Sequence, residues 1–129
     1  MNTYCFIVNP VAGKGKAAKA VATLKQEIHR RSLSAEVCLT ERRGHARLLA
    51  ERTQSPVVVA VGGDGTVNEI VNGITGTEKT LGIIPAGSGN DLVKSLDIPT
   101  DLPAALDAVQ SSRGRLIDAA VVRCSSPKR

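Results

Sequence analysis

The sequence has very few aromatic residues: one tyrosine, one phenylalanine and no tryptophan among 129 residues. Its core must therefore be built from Val, Ile, Leu and Ala, which favours helices packed on a β-branched sheet. Aromatic platforms for stacking bases are missing and no zinc-finger spacing is present, so no nucleic acid partner is expected. The length and a 42% hydrophobic content indicate one domain with its own core.

Long apolar segments and paired cysteine motifs are also missing. The first apolar run, residues 4–8, is too short for a signal-peptide core or a membrane span, so lipid contact is expected to be peripheral. Cys5, Cys38 and Cys124 show no C-x-x-C spacing and have strand-like neighbours. We predict buried, reduced thiols in a cytoplasmic protein.

Positive charge exceeds negative charge, with 17 basic and 12 acidic residues and a formal charge of +5. This excess suits an anionic partner such as a nucleotide phosphate or an acidic lipid headgroup. For Lys19, Arg30 and Arg31 the sequence predicts only a solvated helix face.

Strand-like and helix-like patterns alternate along the chain. Strands are predicted at residues 3–9, 35–40, from 56 through the run VVVAV, at 81–84 and at 116–123. Helices are predicted at residues 15–31, 45–52, through 68–72, at 91–96 and at 103–109. The unbroken VVVAV run indicates a strand buried on both faces. The alternation predicts an α/β fold: an open, mostly parallel sheet with helices on both faces.

Three glycine-rich loops follow predicted strands: NPVAGKGKA, GGDGTVNE and PAGSGND. Ligands of such sheets gather at the carboxyl ends of strands, and each loop leads into a helix amino terminus, which favours an anion such as phosphate. Glycine removes side chains where a ligand approaches the backbone. The residues concerned are Gly62, Gly63, Gly65, Gly87 and Gly89.

Helix capping alone explains part of these loops. Thr66 and Glu69 fit the capping box, and Ser88 with Asp91 fits its looser form. Capping does not explain the glycines that precede these residues.

Asp64 is a carboxylate inside a predicted phosphate-binding loop, where it would repel its ligand. A magnesium ion carried by the phosphates resolves the conflict, held by Asp64 directly or through water. The alternative is an Asx turn at a helix start.

The first loop also fits another class of protein. Gly13, Gly15 and Ala18 match the dinucleotide fingerprint G-x-G-x-x-A, with Glu41 as the acidic residue after the second strand. That interpretation requires NAD(H) to bind better than ATP, and it leaves GGDGTVNE unexplained. The P-loop spacing is absent. Lys14 is placed either to reach phosphate oxygens or to remain solvated.

The chain closely resembles the catalytic domain of the diacylglycerol kinase and sphingosine kinase family. The segments that carry the resemblance are NPVAGKGKA, the strand ending at Thr40 with GHA at residues 44–46, GGDGTVNEIVNGI and LGIIPAGSGNDLVKSL. The resemblance spans residues 4–122. GGDGT alone is shared with NAD kinases and phosphofructokinases, whereas the following NE and the P-x-G-S-G-N-D loop are typical of the lipid kinases.

The resemblance implies a phosphofructokinase/NAD-kinase-like domain that binds ATP with Mg2+, and it marks Asp64 as the residue essential for phosphoryl transfer. The nucleotide-binding positions it implies are Asn9, Pro10, Val11, Ala12, Gly13, Thr40, Gly63, Asp64, Gly65, Thr66, Val67, Asn68, Glu69, Gly87, Ser88, Gly89, Asn90 and Asp91.

Members of the family continue into a second, β-rich domain that supplies part of the lipid site and the base for the lipid hydroxyl. We therefore expect a nucleotide-binding domain at residues 1–114 and the start of that second domain at 115–129, with activity requiring the second domain. None of Asp97, Asp101 and Asp118 is expected to act as the base. The predicted strand 116–123 would have an unpaired edge, which favours self-association.

Two functions follow as hypotheses. The first is a lipid kinase module that transfers the γ-phosphoryl group of ATP to a lipid hydroxyl. The second is a stand-alone nucleotide-binding or regulatory domain without catalysis.

Overall fold

The computed structural model describes residues 3–86 and 101–111. The elements are β1 (Thr3–Val8), α1 (Lys16–Arg30), β2 (Ser34–Leu39), α2 (His45–Arg52), β3 (Val57–Gly62), α3 (Asp64–Ile74), β4 (Thr80–Pro85) and α4 (Leu102–Ser111). The predicted alternation is confirmed over these ranges. The predicted helix 91–96 and strand 116–123 lie outside the described residues.

The four strands form one parallel sheet in the order β2-β1-β3-β4. All six residues of β3 are buried, as the VVVAV run predicts for a central strand. The chain passes from β1 outward to β2 and then returns to the other side of β1 to form β3. The strand order therefore reverses between β1 and β3, which is where open α/β sheets place their ligands.

Helices cover both faces of the sheet, as predicted. One face of β3, with Val58 and Ala60, belongs to a core that includes residues of α2 and α3. The opposite face, with Val57, Val59 and Val61, belongs to a core that includes residues of α1 and α4. Because side chains alternate along a strand, one apolar run supplies both cores.

Helix α1 buries only two of its residues fully, Ala17 and Leu24. Its carboxyl end is held by Arg31, whose side chain is only 12% exposed. This guanidinium donates hydrogen bonds to Glu27, Asp107, Gln110 and the Pro103 carbonyl oxygen. The prediction of a solvated Arg31 is wrong because its partners on α4 are far away in sequence.

The neighbouring basic residues differ from Arg31. Lys19 and Arg30 are exposed, as predicted. Hydrogen bonds from Arg30, and then from Arg31, hold the pKa of the Glu27 carboxyl below its usual value of 4.5.

Within the described part of the chain, no helix combines the length and the apolar character needed to cross a bilayer.

Candidate functional site

The loops that leave the sheet are aligned at its carboxyl edge by backbone hydrogen bonds. The Thr40 amide donates to the Val8 carbonyl oxygen at 2.8 Å and the Asn9 amide to that of Val61 at 3.1 Å. The Ala86 amide donates to the Gly62 carbonyl oxygen at 2.9 Å. The chain therefore leaves all four strands at one edge, as expected for parallel strands.

The first loop takes a backbone conformation that favours glycine. Gly13, Lys14 and Gly15 have φ values of 62°, 59° and 91°, all in the left-handed region. A Cβ atom at Gly13 would lie 2.4 Å from the carbonyl oxygen of Ala86. The loop after β1 thus contacts the chain that leaves β4, two strands away in the sheet.

The second loop is shorter than the sequence predicts, because α3 already begins at Asp64. A Cβ atom at Gly62 would lie 2.6 Å from Thr66 Oγ1, so glycine there makes room for the threonine side chain. At Gly65 an added Cβ would meet no atom within 4 Å. Gly62 is therefore required by packing, whereas Gly65 leaves space beside the loop.

The capping-box prediction for Thr66 and Glu69 is wrong. The residue before α3 is Gly63, which makes no side-chain cap, and Thr66 is buried inside the helix. Glu69 instead accepts hydrogen bonds from the amides of Gly44 at 3.1 Å and Ala46 at 3.2 Å. It therefore caps the start of α2, which lies beside its own helix and has no acidic residue in its first turn.

These segments enclose a cavity of about 510 Å³. Its lining comes from the first loop, the β2–α2 connection and the start of α3. The lining residues are Asn9, Pro10, Val11, Ala12, Gly13, Thr40, Glu41, Arg42, Arg43, Ala46, Gly63, Gly65, Thr66 and Glu69. The cavity thus brings together most of the predicted positions that the structure describes.

Some of the described positions in the predicted site do not line this cavity. Lys14 is exposed on the first loop, and Asn68 is exposed on α3. Gly62 is buried at the end of β3, while Val67 is buried in the core between α3 and the sheet. The third loop, residues 87–91, lies outside the described ranges, and with it Gly87, Ser88, Gly89, Asn90 and Asp91.

The cavity also contains residues that the sequence did not assign to phosphate binding. Arg42, Arg43 and Ala46 follow Thr40 closely and line the wall formed by the β2–α2 connection. Glu41 lines the same wall, and its amide donates a hydrogen bond to His45 Nδ1 at 2.9 Å. The sequence feature that points to them is the pair of adjacent arginines shortly after the end of β2, because two positive charges at that edge favour an anion site.

Asp64 is half-buried at the first position of α3 and does not itself line the cavity, although its neighbours Gly63 and Gly65 do. Asp64 takes part in a polar interaction within the structure. One carboxylate beside the cavity suits Mg2+, which is bound by one or two carboxylates together with substrate phosphates. The donor set therefore fits a magnesium ion that arrives with a polyphosphate.

A parallel α/β sheet with glycine loops at its switch point and basic residues at the rim is typical of phosphate-binding domains. The family model of the diacylglycerol kinase catalytic domain matches residues 3–122. The chain belongs to this family, which favours the kinase interpretation of the first loop over the dinucleotide one.

Curated relatives and a solved structure agree with this assignment. The chain is 35% identical over 117 residues to a diacylglycerol kinase of Staphylococcus haemolyticus and to one of Staphylococcus aureus. It is 26% identical to the crystal structure of a diacylglycerol kinase from Bacillus anthracis, with a TM-score of 0.74. The predicted NAD-kinase-like fold class is confirmed.

The matches cover most of this chain but a smaller part of its relatives. Each of these three matches covers 87% of this chain. They include 36% and 37% of the two staphylococcal proteins and 44% of the Bacillus anthracis structure.

Proposed function

We propose that the cavity at the carboxyl edge of the sheet binds ATP, and that the domain takes part in transferring its γ-phosphoryl group to a lipid hydroxyl. The observation that carries the proposal is the joining of two glycine loops and an arginine-bearing connection around one cavity of about 510 Å³. A volume of this size is typical of small-molecule sites. The family assignment selects a kinase among phosphate-binding domains.

Each side of the cavity has a part in this proposal. The backbone of the first loop and the amino end of α3 offer N–H groups and a positive dipole end to the phosphates. Arg42 and Arg43 add full positive charge, which neutralises phosphate oxygens as they are positioned for transfer. Glu69 holds the start of α2 by its two hydrogen bonds, and thereby positions the connection that carries the arginines.

Asp64 would hold the magnesium ion that arrives with ATP, directly or through water. The ion supplies charge neutralisation for the phosphates in such reactions. The lipid-binding region and the base for the hydroxyl would come from the part of the relatives that this chain does not match. A lipid acceptor would require peripheral contact with a membrane, and Mg2+-ATP would reach the cavity from the aqueous side.

Calorimetry and a transfer assay test this function separately. Calorimetry should show that the chain binds ATP with Mg2+, and more weakly after Asp64→Ala. The assay follows labelled γ-phosphate into diacylglycerol in mixed micelles, with the Staphylococcus aureus relative in parallel. We expect phosphatidic acid from the relative and far less from this chain alone.

The two outcomes have different meanings. Binding without any transfer, even when the part of the Staphylococcus aureus relative that this chain does not match is supplied, would leave a nucleotide-binding domain without catalysis. Absence of ATP binding would overturn the proposal at its first step.

A further inference from the structure

Two cysteines and a glutamate lie together on the sheet, away from the cavity. In the parallel pairing of β1 with β2, Cys5 is opposite Glu36 and Ile7 is opposite Cys38. Residues paired across parallel strands share a face, as do residues two apart on one strand. Cys5, Glu36 and Cys38 therefore occupy one face of the sheet, the face covered by α2 and α3.

The side chains converge as well as share a face. One ligand atom from each of the three residues lies within 4.8 Å of the other two. Two sulfurs bound to one tetrahedral Zn2+ at about 2.3 Å are separated by about 3.8 Å. The observed spacing is thus within a small side-chain adjustment of a coordination sphere.

We propose that Cys5, Glu36 and Cys38 form a site for a thiophilic divalent cation, with Zn2+ as the natural candidate. Two thiolates with one carboxylate suit zinc, whereas magnesium and calcium prefer oxygen ligands alone. A water molecule would complete a tetrahedral set. The proposal does not depend on the nucleotide function.

The burial of the three residues suits a site at the rim of the core. Cys5 is 1% exposed, Cys38 is half-buried and Glu36 is exposed. Strand β2 is at an edge of the described sheet, so an ion would reach the sulfurs from the solvent side. The buried cysteine lies at the inner end of the cluster and the carboxylate at its outer end.

The carboxylate is oriented by the end of α2. Thr53 Oγ1 donates a hydrogen bond of 2.8 Å to Glu36 Oε2, and Ser55 Oγ donates one of 3.5 Å to the same oxygen. Neither of these two bonds uses Oε1. Such outer partners hold a ligand in place and are typical of metal sites.

The ion must displace protons from both sulfurs. Burial raises the pKa of the Cys5 thiol to about 12, and burial also raises the pKa of the Cys38 thiol. Without an ion both thiols are therefore protonated at neutral pH, and each gives its proton to solvent as its bond to the metal forms. Sulfur oxidation plays no part in this step.

Bound zinc would fasten the edge strand to the sheet and to the end of α2. Both Cys38 and Glu36 belong to β2, which leads directly into the connection that lines the cavity. The expected role is therefore structural, and its first readout is thermal stability with and without the ion.

The test is a titration of fully reduced, metal-free protein with Co2+ as a spectroscopic probe, followed by displacement with Zn2+. We expect one Co2+ per chain and a sulfur-to-cobalt charge-transfer band in the near ultraviolet. Zn2+ should remove this band and raise the midpoint of thermal unfolding.

Variants assign the ligands. Cys38→Ser should lower the charge-transfer band by at least half, because Cys5 is then the one proposed thiolate left, and Glu36→Gln should weaken binding by more than about tenfold while leaving a band. Glu36 is exposed, so this variant should fold even if replacements at the buried Cys5 do not. Cys124→Ser, a third cysteine that lies outside the described residues, serves as the matched control and should bind Co2+ like the wild type.

Two results would overturn the proposal. One is the absence of a charge-transfer band in reduced wild-type protein. The other is an equal band in Cys38→Ser, which would place the bound sulfur elsewhere.

Discussion

Helices α1 and α3 both follow a glycine loop at the same edge of the sheet, yet they are held in different ways. Helix α3 has 11 residues and buries six of them, whereas α1 has 15 residues and buries two. Helix α3 is therefore fixed mainly by apolar packing. Helix α1 depends on the backbone geometry of its loop and on polar contacts at its far end.

The glycines of the two loops also differ in what requires them. Gly13 is required by its left-handed backbone and by its contact with Ala86. Gly65 has an ordinary helical position and open space where a side chain would be. The comparison indicates that Gly13 in the first loop serves the fold, whereas Gly65 leaves open space at the cavity.

The largest effect is expected for Gly13→Ala. The new Cβ would meet the Ala86 carbonyl oxygen and require a left-handed alanine, which together cost about 3 kcal/mol of unfolding free energy. Gly15→Ala is the control, because its φ is also positive but its Cβ site is open, so only about 1 kcal/mol is expected. Equal losses in urea unfolding would show that the contact with Ala86 does not matter.

The next largest loss of stability is expected for Arg31→Met. It removes the hydrogen bonds that join α1 to α4, and we expect a loss of about 2 kcal/mol in unfolding free energy. Arg30→Met is the control, because that side chain is 64% exposed and its bonded partner is Glu27, so a much smaller loss than for Arg31→Met is expected. If both variants unfold at the same urea concentration, α1 does not depend on its polar end.

Glu69→Gln tests the link between α3 and α2. Glutamine keeps one acceptor oxygen and places an NH2 group opposite the other amide, so one of the two bonds is lost and the unfolding free energy should fall by about 1 kcal/mol. Since the start of α2 follows the arginine-bearing connection, ATP affinity should fall as well. Glu51→Gln, which breaks only a surface pair with Arg47, should change neither quantity measurably.

Gly65→Ala should separate folding from binding. Alanine at this helix position meets no atom within 4 Å, so stability should stay the same or rise by up to about 0.5 kcal/mol. ATP affinity should nevertheless fall, because the methyl group adds to the wall of the cavity. An unchanged affinity would remove Gly65 from the site, and a large loss of stability would contradict its open surroundings.

The smallest effect is a pH dependence at the end of α1. The pKa of Glu27 is lowered in the folded state, so its contribution to stability is present above the ordinary carboxyl pKa of 4.5 and is lost as the pH falls through the lower folded-state value. Glu27→Gln should be slightly less stable than wild type at neutral pH, and the difference should disappear in acid. A difference that is constant with pH would contradict this.

Local patterns in the sequence predict much of this fold. The VVVAV run predicts a central strand, since only a strand covered on both faces needs no polar residue. The sequence pattern places the start of α3 too far along the chain, because Gly63, Asp64 and Gly65 have the composition of a turn. Here tertiary packing of Thr66 and Val67 overrides local propensity.

Contacts between distant residues could not be predicted in this way. Glu69 matched a local capping motif, yet its partner Gly44 is 25 residues away. Arg31 pairs with Asp107 across 76 residues. Most of the described positions predicted for nucleotide binding line one cavity, because the topology itself brings the loops at the strand ends together.

Calorimetric titration of the chain with ATP, in the presence and absence of Mg2+, tests the central claim most directly. The account predicts saturable binding of one ATP per chain, strengthened by Mg2+ in the wild type and less so in Asp64→Ala. No binding at ATP concentrations up to about 1 mM, in a protein whose cooperative unfolding shows that it is folded, would contradict it.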